Sequence, residues 1–82
     1  MGWLRVFWDM EPGGNVEHVA DHGFDVGEVE HVLRNPTQYS TSRSSGRPML
    51  LGYTPSGQYI AVVYEELDED TVYPITAFPI GE

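Results

Sequence analysis

PMLLGYTPSGQYIAVVYEELDEDTVYPITAF, residues 48–78, decides the fold of this 82-residue chain. Its apolar residues fall into three runs separated by turn-formers, the pattern of successive strands joined tightly. Met49–Tyr53 is the first run, closed by Thr54-Pro55-Ser56-Gly57, where Pro and Gly occupy turn-favoured places. Gln58–Tyr64 is the second, with Tyr59, Ala61 and Val63 on one face and Ile60, Val62 and Tyr64 on the other. Two apolar faces predict a central strand covered on both sides. The acidic segment Glu65–Asp70 turns the chain, and Thr71–Phe78 returns. Pro74 has no N–H for a ladder, which assigns this last strand to a sheet edge or to a bulge. A meander of this kind needs cover for its apolar face, and the residues before it must supply that cover.

Upstream, Trp3–Trp8 is rich in β-formers and reads as a first strand, stopped by Asp9-Met10-Glu11-Pro12-Gly13-Gly14. Asn15 suits the N-cap of a short helix, Val16–His22, and Gly23 is placed to end it in a left-handed conformation. Val16, Val19 and Ala20 share one side of that helix, and His18 and His22 the opposite, wet side. Asp25 and Glu28 have capping-box spacing and open a second helix with a stripe of Val26, Val29 and Leu33. Glu30 and Arg34 stand i,i+4 on its outer face, and Asn35-Pro36 ends it. Thr37–Gly46 is polar and Ser/Thr-rich, and reads as a mobile loop. The expected plan is one α+β domain, residues 1–82, with element order β-α-α-β-β-β. Two helices pack on one face of a four-stranded, mostly antiparallel sheet, and the first strand lies beside Met49–Tyr53.

The chain has no cysteine, which removes disulfides and thiolate metal sites. No stretch approaches a membrane span, and Met1–Trp8 is no signal peptide, so the expected location is the cytoplasm. Net charge is −9 with no lysine, and it is unevenly spread. Residues 1–34 carry −5, residues 35–47 carry +2 from Arg43 and Arg47 with no acid, and residues 48–82 carry −6. Polyphosphates are repelled from such a chain except at a local positive patch.

Several short pieces, spread over most of the chain, carry a family resemblance. They are Phe7-Trp8-Asp9, Asn15, His22-Gly23, Glu28, Pro36, Arg47, Gly52 and Thr54, Gly57, Val62-Val63-Tyr64 and Ile75-Thr76-Ala77. Together they resemble the BrnT-type toxins of bacterial type II toxin–antitoxin systems. The resemblance implies a RelE-like fold and a cofactor-free, metal-independent endoribonuclease, neutralised by a cognate antitoxin protein. Where the family places an arginine after the small residue of the last strand, this chain has Phe78. The family is also commonly basic, whereas this chain is acidic. These departures keep open a second class of function, a catalytically inactive binding or regulatory protein whose acidic surface holds a basic partner.

Arg43 and Arg47, with Ser42, Ser44, Ser45 and Gly46, form a set of donors suited to a phosphate. In RNA cleavage such guanidiniums would stabilise the phosphorane as charge builds on its oxygens. The alternative is a solvated linker whose arginines pair with surface acids. An unperturbed imidazole titrates near neutrality, which makes His22 a candidate base for a ribose 2′-OH; its competing role is to sit at a helix C-terminus, favoured by the dipole. Tyr53 and Tyr64 are candidate base contacts, against plain cross-strand packing. His18 and His22 have i,i+4 spacing without a third ligand, so no metal site is expected. Glu65–Asp70 puts five carboxylates in six residues, a hydrated hairpin tip or a dock for a basic segment.

Overall fold

The computed structural model describes residues 3, 5–43 and 45–80. Leu4, inside the expected first strand, and Ser44, inside the expected phosphate cradle, lie outside the described residues. Seven elements follow in order: β1 (Arg5–Val6), α1 (Asn15–Asp21), α2 (Val26–Arg34), β2 (Gln38–Thr41), β3 (Pro48–Tyr53), β4 (Tyr59–Asp68) and β5 (Thr71–Pro79). The strands form one sheet in the order β1-β5-β4-β3-β2. Neighbours are antiparallel except β1 and β5, which run parallel with Arg5 opposite Thr71. The fold is therefore α+β with two helices and a five-stranded mixed sheet.

The helices begin and end where local chemistry supplies partners for their free backbone groups. Asp25 caps α2 as expected: its carboxylate accepts from the Glu28 N–H at 2.8 Å, and Glu28 accepts from the Asp25 N–H at 3.1 Å. At the end of α1 the Phe24 N–H donates to the Val19 carbonyl and the Gly23 N–H to that of Ala20, the paired bonds of a Schellman motif. That closure needs a left-handed residue, and Gly23 supplies it at φ 89°. It also swings Phe24 into the core. Val19, Val29, Val32 and Leu33 meet Leu50, Ile60, Val62 and Val72 there, all buried. Each such side chain contributes about 1.5–3 kcal/mol by leaving water.

The sheet corrects four expectations and bears out the bulge that was one of two places expected for Pro74. Gln38–Thr41, read as loop, is the edge strand β2, fixed to β3 by the register Gln38↔Leu51 to Thr41↔Pro48. An edge strand exposed on every residue needs no apolar alternation, so its polar composition concealed it. Among the described residues β1 spans Arg5–Val6 alone, and it pairs with β5 rather than with β3. β5 is thereby interior, and Pro74 is accommodated by a bulge: Val63 opposes Thr76 while Tyr64 opposes Pro74, leaving Ile75 unpaired. Glu65–Asp68 continues β4, and only Glu69-Asp70 make the turn. β4 is central, as expected, but the helices cover one face of it alone. Ile60, Val62 and Tyr64 lie under them, while Ala61 and Val63 are shielded by their neighbours on the bare face.

Asn15 is not the cap of α1; Gly14 holds that position. The Asn15 side chain is 1% exposed and links three segments. Its Oδ1 accepts from the Asp9 N–H at 2.7 Å, and its Nδ2 donates to the carbonyls of Phe7 at 2.9 Å and Pro74 at 2.8 Å. The expected Glu30–Arg34 pairing gives way to other partners. Glu30 accepts from the Trp8 indole N–H at 2.8 Å, and the Arg34 guanidinium reaches the Trp3 carbonyl at 3.5 Å.

Candidate functional site

The bare face of the sheet carries a cleft of about 650 Å³ between the β2–β3 loop and the β5 bulge. Met49, Val63, Ile75 and Phe78 make an apolar floor, and Ser40, Thr41 and Thr76 add hydroxyls. Arg43, Arg47, Ser42 and Ser45 of the loop form one wall. Strand alternation explains the floor: Met49, Val63 and Thr76 are mutually opposite across β3, β4 and β5, so they share one side. Ile75 also lines the cleft, and the bulge is what lets it and the adjacent Thr76 share one side.

The loop is closed on itself by its own backbone. The Ser42 N–H donates to the Arg47 carbonyl at 2.7 Å, and the Gly46 N–H to the Ser42 carbonyl at 2.8 Å. Such a tight return requires a left-handed residue, and Gly46 takes it at φ 73°. Arg47 also donates its N–H to the Ser45 hydroxyl at 3.3 Å. The two guanidiniums thus stand on one small loop, exposed, and among the described residues neither has an ion-pair partner. No lining residue among those described is acidic. Half of the chain's four basic side chains face this one cleft. Chemically, it offers fork-shaped cations and hydroxyls for a phosphate above a floor suited to an apolar or ring-shaped group.

The other expected site residues are placed elsewhere. His22 is exposed at the C-terminal end of α1, on the covered side of the sheet, and is not brought to Arg47. Among the described residues none lining the cleft is His, Asp, Glu or Tyr, so none of them is a neutral-range proton carrier. Tyr64 is buried among the core residues under the helices, with its ring 5.0 Å from that of Trp3 and set edge-on. Burial, then the Glu66 charge and then Tyr39 push the Tyr64 phenol upward from its ordinary value. A core position with this packing gives no contact to a base. Tyr53 does lie on the bare face, 53% exposed, with its ring 4.7 Å from that of Tyr59. Four positions along β3 separate it from Met49, about 13 Å, so it stands beyond the cleft rather than in it.

His18 is exposed, and among the described residues no group of three or more His, Cys, Asp or Glu side chains is placed to hold a metal. Glu65, Glu66, Asp68, Glu69 and Asp70 are all exposed along the β4–β5 hairpin. The Asp68 carboxylate accepts from the Asp70 N–H at 2.8 Å, and this bond, with others from Thr71, holds it below the ordinary carboxylate value. No helix among the described residues is long and apolar enough to cross a membrane. Comparison with protein-family models, with curated proteins and with solved structures returns no match.

Proposed function

We propose that this chain is a toxin-like protein of a bacterial type II toxin–antitoxin system, cytoplasmic and RelE-like in fold, whose bare-face cleft engages the phosphate backbone of RNA. One observation carries the reading: Arg43 and Arg47 both line one cleft, with no carboxylate beside them in its lining among the described residues, in a protein that is otherwise strongly negative. A negative body with one local positive recess directs a polyanion to that recess. Among the described residues two helices lie on one side of the sheet and none on the other, which leaves that face open to a substrate strand. In cleavage, the guanidiniums would stabilise the charge that builds on a phosphorane, an effect for which loss of one donor costs about 10²–10³ in rate. Protons would pass through water or the RNA itself, since the described lining residues offer no carrier. This predicts a slow endoribonuclease.

A second reading is favoured by Phe78, which lines the cleft where the resembling family has an arginine. In that reading the chain binds without cleaving, and the exposed acidic hairpin holds a basic partner such as a cognate antitoxin. Induction of the chain alone in a bacterial host separates the two. Growth arrest with RNA degradation, abolished by Arg47→Ala, is expected of the nuclease. Unimpaired growth, intact RNA and RNA binding that Arg47→Ala leaves unchanged would refute the first reading.

A further inference from the structure

Resting on the reading of the cleft as a phosphate site, we infer that the whole bare face is a stacking platform for an unpaired polynucleotide strand. Two aromatic pairs flank the arginine cleft. On one side Tyr53 and Tyr59 stand opposite each other on β3 and β4, their ring centroids 4.7 Å apart. On the other side Phe7 stacks on Tyr73 at 5.6 Å with planes 28° apart. Tyr73 opposes Glu65 and alternates with the buried Val72, so it belongs to the same uncovered side as the cleft floor. Phe7 is 49% exposed and Tyr53 53% exposed, with no helix over either. Core packing calls for neither ring at that exposure, whereas a π-face turned to solvent accepts any base.

The Tyr53–Tyr59 pair is held in place before any ligand arrives. The Tyr59 hydroxyl hydrogen-bonds the Thr37 hydroxyl at 3.1 Å, which lowers the ordering cost of binding. The cleft lies between the two pairs, about 13 Å from Tyr53 along β3 and two strand spacings, about 10 Å, from β5 across to β3. Those spans suit a few nucleotides of a single strand, with its phosphates at the arginine loop and bases at either end. Charge complementarity agrees: Glu65, beside Tyr73, repels phosphate from that end and leaves the loop as the backbone contact.

The test is fluorescence anisotropy with short labelled oligo(rA) and oligo(dA) strands on the full chain, with circular dichroism confirming that each variant folds. Tyr53→Ala and Phe7→Ala should each weaken binding about 5- to 100-fold, with Tyr53→Phe close to wild type. Arg47→Ala should weaken binding and make the log–log salt slope shallower by about 0.7. A losses-on-alanine pattern with either sugar supports the platform, and the strand that shows it identifies the sugar recognised. If both alanine variants bind as wild type while Arg47→Ala does not, the platform is refuted and the phosphate site stands. If a duplex of the same sequence binds as tightly as the single strand, stacking is refuted. If the wild type binds neither strand, the phosphate reading falls with it.

Discussion

Replacing Asn15 by alanine tests whether one buried amide holds the molecule's two halves together. Its three hydrogen bonds join the segment after β1, the loop into α1 and the β5 bulge, and the side chain is 1% exposed. At a net worth of about 1 kcal/mol each, their loss removes about 3 kcal/mol. The orphaned Asp9 N–H and the Phe7 and Pro74 carbonyls add to that wherever water cannot reach them. A domain of this size has a total stability of about 4–12 kcal/mol, so the change is a large share of it. Thermal unfolding should fall by about 12–25 °C, with a matching drop in the urea midpoint at constant slope. Asn15→Asp is the sharper control. It keeps the acceptor for Asp9 but sets a carboxylate oxygen against two carbonyls, and burial raises its pKa in the folded state. It should therefore be at least as damaging at neutral pH and recover partly as pH falls through that raised value, where the protonated acid can donate. An Asn15→Ala protein within about 0.5 kcal/mol of wild type would show that these bonds do not hold the bulge in place.

Three further outcomes follow from the geometry. A Cβ on Gly52 would stand 3.1 Å from both the Asn35 carbonyl oxygen and Val32 Cγ1, so Gly52→Ala requires the end of α2 to give by a few tenths of an ångström. Equilibrium unfolding should register a loss of about 1–2 kcal/mol. Asp25→Ala removes the α2 cap and should cost about 1 kcal/mol, with little effect on the distant cleft. Tyr64, raised in the folded state above its ordinary value of 10.0, favours the fold while it stays neutral. That contribution is full below the unfolded value and is lost as pH climbs from there through the folded one. Alkaline unfolding of Tyr64→Phe should therefore begin at higher pH than that of the wild type, monitored by circular dichroism.

What could be read from residues alone follows the range of the forces involved. The Asp25–Glu28 cap, the Gly23 stop and the Thr54–Gly57 turn are decided within a few residues, and all three stand where local chemistry placed them. Arg43 and Arg47 were legible as a pair because charge composition is local as well. β2 was not, since its polar side chains reflect an edge open to water; Tyr39 and Thr41 alternating with polar neighbours were the available signal. The acidic run looked like a turn because a ribbon bare on both faces has no apolar requirement. That His22 and Tyr64 stand apart from the cleft is hidden in the sequence for a different reason. Which side of the sheet a residue meets depends on the register of every strand between, and no single stretch encodes that. Asn15 is the same case: capping and burial both suit an asparagine, and only the distant Pro74 carbonyl decides between them.

The parallel seam between the first and last strands has a consequence for how the molecule comes into being. Arg5 waits for Thr71, so β1 finds its neighbour only after both helices and the three intervening strands have emerged. Until then its backbone groups and the flank of β4 that β5 will occupy stand unsatisfied, and a nascent chain at that stage is sticky. Closing so long a loop comes late and slowly among the folding events. Nonsense fragments that stop before Thr71 should therefore partition into inclusion bodies instead of surviving as partial folds.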